Sequence, residues 1–187
     1  MEEGTVNRRS SSEREPGRLL IACIGNIFLG DDGFGVEVAQ RLMSRQYPES
    51  VQVVDFGIRG MDLAYAMLGD YNMLVLVDAI PRGGSPGTLY LIEPDLSGMT
   101  PEKGVEAGRV ALDNHSMDPV KVFAYARTLG AKPIHTLLVG CEPSPMSDDY
   151  TEMQMGLSEP VQAAVDEAVK MIDSLVEQSL ARSDIVY

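Results

Sequence analysis

Runs and alternations of apolar residues divide the chain into strands and helices. Residues 19–24 (LLIACI) and 73–78 (MLVLVD) are apolar at almost every position, as a parallel strand covered on both faces must be. Residues 51–55 (VQVVD), 88–92 (TLYLI) and 136–141 (TLLVGC) complete a set of strands, with 88–92 expected at or near a sheet edge. Between the strands the apolar period lengthens. Val36, Ala39, Leu42 and Met43 share one helical face, which predicts a helix over 36–47 that Pro48 ends. Gly57 and Gly60 bracket a turn, and a short helix is predicted over 61–68. Asp118 before Pro119 marks a helix start, and that helix runs to Leu129 before Gly130 stops it. Val161, Val165, Ala168, Ile172 and Val176 form the stripe of a last helix over 158–180.

The order β-α-β-α-β-β-α-β-α predicts an α/β fold of three layers, a twisted and mostly parallel sheet with helices on both faces. The expected organisation is a polar, disordered leader over 1–17, one folded domain over 18–180 and a short tail over 181–187. The longest irregular stretch, 93–114, has the length of a lid or binding loop, or of a disordered segment.

Composition narrows the function classes. The chain has 187 residues and a formal net charge of -13, so nonspecific nucleic-acid binding and an anionic membrane face are not expected. No apolar run approaches the ~20 residues a membrane span needs. Cys23 and Cys141 are the only cysteines, both in strand-like runs, and they read as buried free thiols. A reducing cytoplasm suits that usage.

Candidate chemistry gathers where strands end. Leu19–Gly35 (LLIACIGNIFLGDDGFG) is a buried strand, then a glycine-containing loop with Asp31 and Asp32, then a helix start. Ligands of open α/β sheets bind at such carboxyl ends. Asp55 ends the second strand and Asp78 the third, and His115 precedes the helix that leads to the last strand. His135 begins that strand and therefore belongs to the opposite edge. Each residue has a structural reading: Asp31 or Asp32 as a helix cap, Asp78 as an Asx-turn acceptor, Asp55 as the anchor of the Gly57 turn, and either histidine as a surface residue. Together, Asp32, Asp78 and His115 offer two carboxylates and one imidazole at one edge. That donor set suits a borderline divalent ion such as zinc or nickel with positions left open for substrate. No GxGxxG, P-loop, HExxH or nucleophile elbow is present.

The ordered set GNIFLGDDGFGVEVAQRL, Asp55 with Gly57 and Gly60, VDAI, PGTLY, NHSMDPVKV and TLLVGCEP resembles the [NiFe]-hydrogenase maturation endopeptidases, from about Leu19 to about Val176. The resemblance implies a five-stranded twisted sheet with helices on both sides. It also implies an enzyme that removes the C-terminal extension of a hydrogenase large-subunit precursor after nickel insertion. By motif, the family's nickel-contacting and catalytic positions fall on Asp32, Asp78 and His115, and the nickel is expected to be carried by the substrate rather than held permanently. Two departures stand out. The first-loop acid is Asp32 where some members have Glu, and the box often written Asp-Gly-Gly-Thr is Asp55-Phe56-Gly57-Ile58. Two other readings use the same residues: a non-enzymatic nickel-binding assembly factor, and a magnesium-dependent phosphohydrolase or receiver-like domain. The latter needs a phosphate-contacting cation at a strand end, for which only Arg59 and Arg82 are near.

Overall fold

In the computed structural model, which describes residues 17–96, 119–145 and 154–184, β1 (Leu19–Ile24) lies inside a five-stranded sheet of order β2-β1-β3-β5-β4. Its neighbours are β2 (Val51–Gly57) and β3 (Met73–Ala79), both parallel to it. β5 (His135–Cys141) runs parallel to β3, and β4 (Leu89–Ile92) closes the far side as an antiparallel edge strand. The helices are α1 (Phe34–Met43), α2 (Gly60–Ala66), α3 (Pro119–Thr128) and α4 (Glu159–Asp184). Element order, the mostly parallel sheet and the edge position of the fourth strand agree with the sequence reading.

All six residues of β1 are buried, and their alternation serves two cores. Leu19, Ile21 and Cys23 meet Val38, Leu42, Val165 and Ile172 from α1 and α4 on one face. Leu20, Ala22 and Ile24 meet Leu63 and Met67, and Val122 and Phe123 of α3, on the other. The chain passes from β1 outward to β2 and then back across to β3. That reversal is why α1 and α2 cover opposite faces, as two crossovers of one hand require. It also creates a switch point between the carboxyl ends of β1 and β3, where an open sheet leaves room for a ligand.

Boundaries shifted where tertiary contacts act. A 3-10 turn (Gly30–Gly33) precedes α1, which starts at Phe34 and ends at Met43, short of Tyr47. Ser44 Oγ donates to the Arg41 carbonyl and ends the helix locally, while the Tyr47 hydroxyl is drawn across to Asp173 of α4 at 2.7 Å. The last helix continues four residues past the predicted end, to Asp184. The leader through residue 16, residues 97–114 of the irregular stretch, Asp118 and the last three residues lie outside the described residues.

A single carboxylate ties the loops of the carboxyl edge together. Asp31, buried in the 3-10 turn, accepts from Ser144 N at 2.8 Å, Ser158 N at 2.6 Å and Ser158 Oγ at 2.8 Å. Ser144 Oγ in turn donates to Ser158 Oγ at 2.8 Å. Burial pushes the Asp31 carboxyl up, but the Ser158 and Ser144 donors outweigh it and hold it below the usual carboxylate range. The folded state therefore prefers ionised Asp31. Its stabilisation is complete above the unfolded value and is lost as pH falls through the depressed one. Asp31→Ala should destabilise the fold by roughly 2–4 kcal/mol at neutral pH, because three donors lose one buried acceptor. The deficit should shrink below about pH 4, where wild type also loses the ion. Urea unfolding at both pH values checks this, and a neutral-pH loss under about 0.5 kcal/mol would contradict the tie.

Candidate active site

The first loop is built so that a carboxylate reaches the switch point. Gly25 leaves β1 with φ of 146°, a conformation in which L side chains are strained, and a Cβ there would come within 2.0 Å of the Asp32 carbonyl oxygen. The glycine thus lets the loop fold back on the strand end. Asn26 N donates to Asp32 Oδ2 at 2.8 Å and to the Asp32 carbonyl at 3.2 Å, while Asn26 Oδ1 accepts from Phe28 N at 3.0 Å. The side chain of Asp32 is therefore held by its own loop rather than capping α1, whose N-terminus receives no side-chain cap.

Asp78 arrives from the next strand. It sits near the end of β3, opposite Gly140 of β5, and its Oδ1 accepts from Ala79 N at 2.8 Å. Burial raises its carboxyl first and the charge of Asp32 raises it further, to about 8, against the lowering effect of the Ala79 N–H. Asp32 is itself raised by burial, in part offset by the Asn26 N–H. A carboxyl from the first loop and one from β3 thus share one electrostatic environment, and at neutral pH the pair retains a proton. An acid kept half-buried near another acid, with no cation beside it among the described residues, is costly for a fold. Perturbation of this kind, in a crevice at a switch point, marks functional sites.

The other candidates separate as the topology requires. Asp55 Oδ1 accepts from Gly57 N at 2.8 Å and fixes the left-handed turn at Gly57 (φ 53°), so it has the structural role. His135 pairs in register with Met73, at the amino end of the sheet, and its Nε2 lies 3.1 Å from Glu93 Oε1. His115 lies outside the described residues, and among the described residues no group of three His, Cys, Asp or Glu side chains is placed to hold a metal ion. The two thiols are buried and free. Burial, then the charge of Asp55, raises Cys23, and Cys141 is pushed up to about 12 by burial and by Asp31 and Glu142, so neither is a nucleophile at neutral pH.

Glu142, directly after β5, escaped the sequence reading. It is buried and accepts from Arg82 N at 2.9 Å, Gly83 N at 3.0 Å and the Tyr90 hydroxyl at 2.7 Å. Burial pushes the Glu142 carboxyl up, but the Tyr90 hydroxyl and the loop N–H groups hold it below the usual range. The result anchors the loop that follows Asp78. The one available signal was an acid just past a buried strand, the same signal that singled out Asp78. Arg82 stacks over the Tyr90 ring at 5.6 Å, and Arg59 donates to the Phe56 and Asp55 carbonyls. Both cations near the edge therefore have protein partners, which weakens the phosphate-binding reading.

Comparison with known proteins identifies the family and the fold. The hydrogenase maturation protease family model matches residues 36–175. The hydrogenase maturating endopeptidase HybD of E. coli superposes with a TM-score of 0.66 at 27% identity, covering 87% of this chain and 93% of its own. The hydrogenase expression/formation protein HupD of Rhodobacter capsulatus is 27% identical over 183 residues, 90% of this chain and 84% of HupD. HoxM of Azotobacter vinelandii, of the same description, is 30% identical over 164 residues, 87% of this chain and 74% of HoxM. The shared fold is the single-domain α/β sheet described above. The chain belongs to the hydrogenase maturation protease family.

Proposed function

We propose that this protease cleaves the C-terminal extension from a [NiFe]-hydrogenase large-subunit precursor once nickel has been inserted, and that Asp32, Asp78 and His115 recognise the substrate's nickel. The observation that carries this reading is the Asp32–Asp78 pair, two carboxyls brought to one edge with Asp78 held at about 8. Two acids that repel one another, the part of the site that the described residues contain, are incomplete until a cation enters. A divalent ion beside the pair lowers the proton affinity of both groups and makes them ligands. Oxygen donors with an imidazole suit nickel, and a weak open set of this kind suits an ion that arrives and leaves with its substrate. The scissile peptide is then brought to the edge only by a loaded precursor. The chain's own contribution is to orient the two carboxylates through the Asn26 and Ala79 N–H groups and to keep the edge partly desolvated. A carboxyl whose pKa lies near neutrality also has the basicity that activation of a water requires.

The described residues contain no helix long and apolar enough to cross a membrane, and the expected setting is the cytoplasm, where the precursor would be processed. Purified protein mixed with nickel-loaded and nickel-free precursor should process only the loaded form, by mass spectrometry of the released peptide. Equal processing of both would sink the checkpoint. Asp32→Asn, Asp78→Asn and His115→Gln should each lower kcat/KM by about 100-fold or more while circular dichroism stays that of the folded protein. Folded variants with normal cleavage would remove those residues from the mechanism.

The raised Asp78 carboxyl sets a pH dependence of opposite sign to that of Asp31. Its folded-state value of about 8 exceeds the ordinary 3.8, so the fold binds the proton more tightly than the unfolded chain. Stability from this group is full at acid pH and declines as pH rises from about 4 through about 8. Asp78→Asn removes that decline. The variant should gain on wild type between about pH 5 and about pH 8.5, by an order of a few kcal/mol. Urea midpoints at the two pH values measure the difference, and a gap that does not change with pH would contradict the raised carboxyl.

A further inference from the structure

Four large apolar side chains stand in water on the loops around the Asp32–Asp78 edge. Ile27 is 43% exposed and Phe28 48%, both in the loop after β1; Ile58, after β2, is 59% exposed, and Met155, in the segment before α4, is 74% exposed. Singly, each would be unremarkable, since exposed apolar residues are common. Their grouping is not scattered. Gly25 N donates to the Gly57 carbonyl at 3.0 Å, which places the Ile58 turn against the start of the first loop. Gly30 N donates to the Gln154 carbonyl at 2.6 Å, and Leu29 and Gln154 form a parallel bridge, which places Met155 beside the other end of that loop. The three segments are laced by backbone bonds, so the loops that carry these side chains adjoin one another at this edge. None of the four belongs to either core cluster, so the fold does not require them to be apolar. Exposed apolar side chains brought together in this way mark interaction surfaces.

We propose that Ile27, Phe28, Ile58 and Met155 form a docking rim for the extended segment of the substrate polypeptide that flanks the scissile bond, and that this segment is apolar and not acidic. The proposal rests on the proteolytic reading of the same edge and adds what the edge selects besides metal. Continuity with the site fixes the occupant: any chain that brings a peptide bond to Asp32 and Asp78 must cross the loops that carry them. Charge fixes its character. Among the described residues, Asp31, Asp32, Asp55, Asp78 and Glu142 lie at this edge, and the arginines near it, Arg59 and Arg82, are engaged with the protein itself. In a chain of net charge -13 an acidic segment would be repelled there, whereas apolar side chains gain by covering the rim.

The test uses full-length protein and nickel-loaded precursor, with steady-state cleavage measured for wild type, Phe28→Ser, Ile58→Ser and the double variant. Leu68→Ser, at an exposed apolar residue just after α2, is the control. The expected result is a KM raised about tenfold in the double variant with kcat changed less than about twofold, normal values for the control, and recovery in Phe28→Leu. An unchanged KM, or a loss confined to kcat, overturns the rim. If wild type itself leaves the loaded precursor uncut, the proteolytic reading fails, and equilibrium binding of that precursor to wild type and the double variant then decides the rim separately. An affinity about tenfold weaker in the variant supports it; equal binding, or none to either protein, overturns it.

Discussion

Nothing larger than hydrogen fits on the α-carbon of Gly35. A Cβ there would stand 2.1 Å from the Ile24 carbonyl oxygen and 2.5 Å from that of Val77, both of them backbone atoms of central strands. The first turn of α1 is therefore pressed directly against the carboxyl ends of β1 and β3. This approach sets the floor of the crevice at the switch point, and the rest follows from it. The loop between Ile24 and Phe34 has to double back within a few residues, which Gly25 permits, and in doing so it carries Asp32 to the strand end where Asp78 emerges. Without the close approach the helix would start farther out and the two carboxyls would not share a field.

That geometry sorts the acids of the edge into two kinds. Asp31, Asp55 and Glu142 each accept at least one backbone N–H, and Asp31 and Glu142 accept a hydroxyl as well. Donors of this kind stabilise the charged form, and they hold Asp31 and Glu142 below the usual carboxylate range against the opposing effect of burial. Asp32 and Asp78 each accept a single backbone N–H, too little to offset burial, and both are raised. Asp31 and Glu142 are well supplied with donors, Asp55 is occupied in the Gly57 turn, and the candidate functional pair is, among the described residues, left short of them. On the proposed reading, the shortage is what gives an incoming cation something to neutralise.

The fold was largely legible because burial on two faces writes itself as unbroken apolar runs, as in 19–24 and 73–78, and because helices announce themselves by period. The placement of Asp32 and Asp78 was legible for the same reason, since a carboxylate that ends such a run, or lies in the loop that follows one before the next helix, has to sit at the sheet's carboxyl edge. What the sequence could not carry was partnership at a distance. Asp31 finds Ser144 and Ser158, 113 and 127 residues away, and no local pattern separates it from its neighbour Asp32 beyond topology. Glu142 is bound mainly by backbone N–H groups of Arg82 and Gly83, which any residues supply, so its role leaves no mark in composition. The end of α1 was misplaced because Tyr47 is pulled to Asp173 of a helix more than a hundred residues later.

The same distinction separates this edge, the candidate site, from the opposite one. At the amino edge His135 meets Glu93, an exposed pair that can satisfy itself and asks for no further partner. At the carboxyl edge two demands remain unmet within the described residues: a carboxyl pair held partly out of water, and apolar side chains held in it. A metal ion alone would answer the first and an apolar peptide alone the second. On the reading proposed above, a substrate that brings both together satisfies the edge as a whole, and the two demands would then act as a joint test of the polypeptide and its metal, applied before any bond is cut.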